Sequence, residues 1–399
     1  MASSGPLSDI RVIEIGQILA GPFCGQLLAD FGAEVIKIEE PHVGDPMREW
    51  GQEKPHGRSL WWPVVARNKK SVTLDLRKDE AREIVYALVR EADVLVENFK
   101  PGTLERWGLG YEVLSQINPR LIMVRITGYG QTGPYSKYPG YGAIGEALGG
   151  LRYVTGDPSV PPSRSGISIG DSLAATFGCM GCLMALHARE RTGRGQIVDS
   201  AIYESVLAMM ESLVPEYDLA HYIRERTGPI LPNVAPSNVY PTADGQMILI
   251  AANQDAMFAR LAGVMGQSEL ARDTRFATHS ARGANQRMLD DVIAQWTSTL
   301  TADRLTNLLN EADIPVGKIF RAPEMLADPH FKAREAIVSV GHPVLGQIKM
   351  QNVVPKLSET PGGISHAGPE LGEHNDEIYR GLLGMSEIEI DALKNNGVI

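Results

Sequence analysis

The chain has 399 residues, 43% of them hydrophobic and 22% charged, with a formal net charge of −10 at pH 7 and a pI of about 5.5. A globular composition of this length predicts two or more lobes rather than one compact core. So acidic a surface repels nucleic acid and anionic membranes, which excludes both as partners of the surface as a whole.

The first nine residues, "MASSGPLSD", have no basic region followed by an apolar run, so no signal peptide is expected. No uninterrupted apolar stretch reaches the roughly 18–20 residues of a membrane span. Three cysteines, Cys24, Cys179 and Cys182, suit a reducing compartment, with the cytoplasm as the expected location.

Along the first 130 residues, "IRVIEIG" (10–16), "AEVIKIE" (33–39), "SVTLDL" (71–76), "DVLVENF" (93–99) and "LIMVRIT" (121–127) are short β-branched runs that predict strands. Helical segments lie between several of them, including "AGPFCGQLLADFG" (20–32) and the amphipathic "RKDEAREIVYALVREA" (77–92). Alternating strands and helices, with strands apolar along nearly their whole length, predict a parallel sheet covered on both faces. "RNKKSVTLDLR" (67–77) gathers Arg67, Lys69, Lys70 and Arg77 around one strand, either to meet phosphates or as a solvated edge. "ENFKPGTLERWG" (97–108) puts Asn98, Phe99 and Lys100 at a strand's carboxyl end with Arg106 close behind. That is a ligand-binding position in open parallel sheets, or else a solvated turn. "GYGQTG" (128–133) satisfies G-x-G-x-x-G after a strand, but Pro134 follows and no acid ends a strand about twenty residues on. It reads as a glycine-rich turn beside a ligand rather than a dinucleotide site.

"GISIGDSLAATFG" (166–178) holds one acid, Asp171, with no charged residue within six positions on either side. It caps a helix, or its carboxylate serves as a nucleophile, or both. The long helix after it carries "CMGC", Cys179 and Cys182, without the second pair or histidines of a zinc site; buried apolar thiols are expected, and no metal. A Pro- and Asn-rich stretch (227–242) reads as a passage into another domain. Beyond it, "GQMILIAAN" (245–253) predicts a strand, 254–313 helices and "DIPVGKIF" (313–320) a strand. Short strands, a Gly/Pro-rich segment and a terminal helix close the chain. There is no G-x-S-x-G elbow and no H-E-x-x-H, so acyl chemistry here has to start from a carboxylate.

Taken together, "LAGPFCGQLLADFGAEVIKIEEP", "NKKSVTLDL", "ADVLVENFKPGTLERWGLGYEVL", "NPRLIMVRITGYGQTGPY", "GDSLAA", "RTGRGQIVD", "DPHFKARE" and "LGEHNDEI" resemble the class III coenzyme A-transferases, the family of the carnitine, bile-acid and formyl-CoA transferases. The likeness looks closest to members that use succinyl-CoA and dicarboxylates. It implies an α/β fold: a Rossmann-like, parallel-sheet large domain from residues 1–225 and 326–399, and a smaller α+β domain from 226–325. It also implies an interlocked homodimer. The family's catalytic aspartate matches Asp171, which would carry the acyl group as an anhydride and then coenzyme A as a thioester. Coenzyme A is then a substrate, with an acyl-CoA and a carboxylic acid as partners and no further cofactor. The coenzyme A-binding positions fall on Leu19, Ala20, Leu74, Arg77, Asn98, Phe99, Lys100, Arg106, Pro139, Gly140, Tyr141 and Gly142. Trp50, Trp61, Tyr141 and Arg164 are candidates for reading the acids. Some members carry an arginine where this chain has Glu40, and Lys69 or Lys70 is the expected substitute. No glycine run occurs between 225 and 250, which argues against oxalate and formate. The related α-methylacyl-CoA racemases need a histidine base, and none lies between His56 and His187. A racemase, or a coenzyme A-binding protein without catalysis, is the alternative.

Overall fold

The computed structural model describes residues 5–399. It divides into two compact units, one of residues up to Leu151, Ser165–Leu219 and His330–Ile399, the other of Arg152–Arg164 and Ala220–Pro329.

In the first unit six strands form one sheet: β1 (Arg11–Glu14), β2 (Glu34–Glu39), β3 (Lys69–Thr73), β4 (Val94–Glu97), β5 (Ile122–Thr127) and β6 (Ile197–Ala201). All pair in parallel, in the order β3-β2-β1-β4-β5-β6. The chain starts at the centre, builds outward to β3, then crosses to β4. The direction of winding therefore reverses between β1 and β4, where sheets of this kind open a crevice.

Parallel pairing needs crossovers, which cover both faces with helices. On one face the helix Asp79–Arg90 buries Ala81, Ile84, Val85 and Leu88, spaced i, i+3, i+4, i+7, in a cluster with Ile13, Ile36, Val72 and Leu95. Asp79 and Glu80 in its first turn and Arg90 in its last suit its dipole. On the other face the helices Ala20–Asp30 and Ile169–Thr192 pack on each other and on the sheet. Close approach depends on small residues: a Cβ on Gly178 would lie 3.1 Å from Ile126 Cδ1. Ile169–Thr192 is long and apolar enough to cross a membrane by length and composition, and here it lies along β5 and β6.

Under the helix Ala20–Asp30 the sheet buries charges. Glu14 is wholly buried and takes Lys69 Nζ at 2.7 Å and Lys37 Nζ at 3.4 Å. Lys37 also pairs with Asp45 at 2.8 Å, and Lys69 Nζ donates to the Pro22 carbonyl at 2.6 Å. Arg67 forms a bidentate pair with buried Asp30 (2.6 and 2.9 Å), and Lys70 pairs with Glu34 and Glu377. The basic cluster 67–70 is therefore neither a phosphate patch nor a solvated edge. Its cations are spent on internal carboxylates, because a buried charge without a partner is not tolerated.

After an antiparallel hairpin, β10 (Ile337–His342) and β11 (Gly346–Gln351), the chain returns along the free edge of β3. Asn375 exchanges hydrogen bonds with Thr73 (2.8 and 2.9 Å), the His374 N–H donates to the Ser71 carbonyl (2.9 Å), and Asp75 N–H donates to the Val398 carbonyl (2.8 Å). The edge is thus covered rather than left to pair with another chain.

The second unit has a three-stranded antiparallel sheet, β7 (Ser237–Pro241), β8 (Met247–Ala251) and β9 (Val316–Lys318). Its core joins Tyr240, Ile248 and Ile250 to Phe258, Leu289 and Leu305 from the helices between.

Burial holds His374 and His342 below the usual histidine value. Each Nδ1 accepts backbone N–H groups, from Ser71 in one case and from Val344 and Leu345 in the other, and so must be unprotonated. The unfolded chain takes up these protons near the ordinary value of about 6.5, the folded chain only at lower pH. Their stabilisation is full above the unfolded value and is lost as pH falls through the folded one. The urea midpoint should fall between about pH 7 and about pH 5, and His374→Gln should flatten that slope.

Candidate active site

Both helices on the Asp30 side of the sheet run antiparallel to the strands, so both begin at the strands' carboxyl edge. Two groups of residues meet there.

The first surrounds Asp171. The helix begins at Ile169, and Ser168 stands at its N-cap without a side-chain capping bond. Asp171 is the third helical residue, inside the first turn, so it is not the cap that its sequence context allows. Its carboxylate lies against Gly142: a Cβ there would sit 2.2 Å from Oδ2 and 2.7 Å from Cγ. Only glycine leaves the acid this room. Gly142 opens the short helix Gly142–Leu148, with Tyr141 as its N-cap residue and Pro139 and Gly140 in the loop before it. The N–H groups of Gly142 and Ala143 make no hydrogen bond among the described residues, as the first donors of a helix do not. Gly170 closes the contact, its N–H 3.4 Å from Oε1 of buried Glu146.

The second group lines a cleft at the ends of β1–β4, about 580 Å³ with its open mouth. Ile15, Ile38, Leu74 and Leu76 face Phe99 and Trp107, whose rings meet edge to face at 5.3 Å. Gln17, Glu40, Asp75 and Arg77 make its polar side. Arg77 pairs with Glu40 (2.5 Å) and Asp75 (2.7 Å). Lys69 and Lys70 do not reach the cleft in place of the missing arginine; both are held by other acids.

The turn between β1 and its helix is clamped from three sides. Asn98 accepts from the Gln17 N–H (2.7 Å) and donates to the Gln17 carbonyl (2.8 Å). Asp45 accepts from the Ile18 N–H (3.1 Å), and Lys37 donates to the Gly16 carbonyl. Ile18 has φ 66°, a conformation that a β-branched residue holds only when its surroundings impose it.

Of the residues expected to contact coenzyme A, Leu74, Arg77 and Phe99 line the cleft. The Asn98 amide is committed to the turn beside it. Leu19 packs with Met47 and Trp62, and Ala20 starts the helix. Lys100 and Arg106 are exposed, Arg106 donating to Thr103 Oγ1 at 3.1 Å. Trp50 and Trp61 form an exposed edge-to-face pair at 6.1 Å, Tyr141 is 68% exposed, and Arg164 belongs to the second unit. "GYGQTG" is a loop that opens no helix. The β–turn–helix–β unit that forms the nucleotide-type crevice is the first one, from Gly16 to Glu40. Gln17 lies outside every quoted motif, and Trp107 lies inside "ENFKPGTLERWG" without having been singled out there, while an acid just past the second strand, 24 residues after Gly16, is a readable signal for Glu40.

The thiols are not rival nucleophiles. Burial pushes Cys179 up to about 12 and raises Cys24 and Cys182 as well. Iodoacetamide at pH about 8, near the ordinary thiol value, should label the native protein far more slowly than the protein in denaturant, as followed by intact mass.

Residues 7–375 match CoA-transferase family III. The succinyl-CoA–D-citramalate CoA-transferase of Chloroflexus aurantiacus is 61% identical over 99% of this chain and 98% of its own length. The succinyl-CoA–L-malate CoA-transferase beta subunit of the same organism is 42% identical, over 99% and 98%. The crystal structure of a CaiB/BaiF family protein from Brucella suis superposes with a TM-score of 0.85 at 36% identity, covering 95% of this chain and all of that one. A family match over nearly the whole chain and relatives of this similarity make the chain a CoA-transferase, a member of CoA-transferase family III.

Proposed function

We propose that the enzyme moves coenzyme A from succinyl-CoA to a 2-hydroxy dicarboxylic acid of citramalate type, with Asp171 as covalent carrier. The observation that carries the substrate assignment is 61% identity over 99% of the chain to a relative named for succinyl-CoA and D-citramalate. The relative at 42% is named for the same donor and for L-malate, another 2-hydroxy dicarboxylate.

The exchange of a thioester for a carboxylate is nearly balanced in energy, so it succeeds only if water does not take the acyl group. A carboxylate carrier meets this need. An Asp171 oxygen attacks the thioester carbonyl, the C–S bond breaks, and coenzyme A leaves as the thiolate, giving a mixed anhydride. The thiolate then attacks the Asp171 carbonyl carbon and releases succinate, which leaves an aspartyl-CoA thioester. The acceptor carboxylate repeats the two steps in reverse order and restores Asp171. No net proton moves. The helix N-terminus favours the negative charge of Asp171, and the uncommitted N–H groups of Gly142 and Ala143 supply donors for an oxyanion beside it.

The enzyme works, on this reading, as an interlocked homodimer. The helix that carries Asp171 leaves Met180, Leu183 and Met184 exposed in the single chain, 61% in the case of Met184, and Met209 nearby in sequence is 52% exposed. Apolar side chains at this exposure along one central helix suit an interface. Sedimentation equilibrium should return twice 43.4 kDa.

Mass spectrometry of the esters formed from succinyl-CoA and separate dicarboxylic acids tests the reaction. Citramalyl-CoA is the expected product, and failure with every dicarboxylate overturns the assignment. Asp171→Asn and Asp171→Ala should bind coenzyme A and lose transfer by on the order of 10⁴-fold or more, as loss of a nucleophile does. Gly142→Ala, which drives a methyl into the Asp171 carboxylate, should cost about 10²-fold in kcat through displacement alone. Transfer near the unmutated rate in Asp171→Asn would rule out the carrier role.

A further inference from the structure

Among the described residues, Arg77 is the one cation lining the cleft at the ends of β1–β4, and its charge is already spent. Its Nε donates to Asp75 Oδ1 at 2.7 Å, and its Nη2 donates to Glu40 Oε1 at 2.5 Å and to Asp75 Oδ2 at 3.2 Å. Two carboxylates face one guanidinium, so the trio carries a surplus negative charge. The remaining acid of the lining, Glu39, is buried and held by Arg48 (2.7 and 2.8 Å), and brings no free positive charge with it. A phosphate dianion arriving at this rim meets a cation already satisfied from two sides and a carboxylate that repels it. A hydroxyl arriving there meets an acceptor.

Position adds to charge. Glu40 directly follows β2 in the unit β1–helix–β2. In sheets of this strand order an acid at that point accepts from a ribose hydroxyl of a bound nucleotide. Beside it, Leu74, Leu76, Phe99 and Trp107 offer the apolar walls that a purine base fills.

We propose that Glu40 accepts a hydrogen bond from the ribose 2′-hydroxyl of coenzyme A and, by holding Arg77, removes the 3′-phosphate as a determinant of binding. The enzyme then takes 3′-dephospho-CoA and its thioesters about as well as coenzyme A and its thioesters. This rests on the coenzyme A reading above.

Calorimetric titration of the full-length protein with coenzyme A and with 3′-dephospho-CoA tests it. A phosphate held by a free guanidinium is worth about 10-fold in affinity or more. Dissociation constants that differ by less than this support the inference; coenzyme A bound tighter by about 10-fold or more overturns it. Glu40→Arg should raise the preference for coenzyme A about 10-fold by adding the missing cation, and Glu40→Gln should raise it less, by releasing Arg77 from one acid. General damage to the cleft weakens both ligands together and leaves their ratio fixed, so an unchanged ratio in Glu40→Arg also overturns the role given to Glu40. If neither ligand binds the unmutated protein, the coenzyme A reading itself falls, and this inference with it. If both bind and coenzyme A alone is strongly preferred, only this inference falls.

Discussion

Glu14, Lys37, Lys69 and Asp45 are all buried beneath the helix Ala20–Asp30, and the geometry of the whole carboxyl edge depends on how they pair. Each of these charges would carry a desolvation penalty of several kcal/mol if left alone. Their mutual contacts are therefore obligatory rather than decorative. Lys37 reaches from β2 to Asp45 and to the Gly16 carbonyl, and Lys69 reaches from β3 to Glu14 and the Pro22 carbonyl. Three strands, the turn after β1 and the loop around Asp45 are tied together by these pairs. Asp45 then holds the Ile18 N–H and so maintains a backbone angle that isoleucine avoids on its own.

That turn lies between the two parts of the site. On one side is the cleft, whose walls come from the ends of β1–β4. On the other is the helix that begins beside Asp171 and packs along the helix that the turn opens. A clamped turn suits the carrier reaction proposed above, which depends on keeping water from each intermediate. The room for Asp171 is itself a packing result: Gly142 and Gly170 are the places where a methyl group would meet the acid or its supporting backbone.

Charge is managed differently in the two halves of the site. Beside Asp171 lie backbone donors at a helix start, the N–H groups of Gly142 and Ala143. In the cleft the cation present is bound to acids before any ligand arrives. A chain of net charge −10 thus lines this cleft with apolar walls and a polar, net acidic rim rather than a basic trough.

Much of the fold was legible in the residues themselves. Short β-branched runs and i, i+3, i+4 spacing are local consequences of backbone geometry, so β1, β2, β4 and β5 and the helices Ala20–Asp30 and Asp79–Arg90 were readable within a few residues. The isolation of Asp171 was equally visible. Its place inside the first turn was not, because where a helix begins depends on the contacts its first residues make, here at Gly142 and Glu146. The lysines of 67–70 look like a surface patch in one dimension, since the acids that neutralise them, Glu14, Glu34 and Glu377, lie tens to hundreds of residues away. The excursion of Arg152–Arg164 into the second unit leaves no mark in composition or period. "GYGQTG" matches a phosphate-binding pattern that the fold does not use, while Gly16 to Glu40 supplies the crevice with a single glycine at the strand's end. Local pattern determines which segments are strands and helices. Only the tertiary structure decides which charges meet and which glycine has a carboxylate against it, because those depend on distances between segments that sequence spacing does not contain.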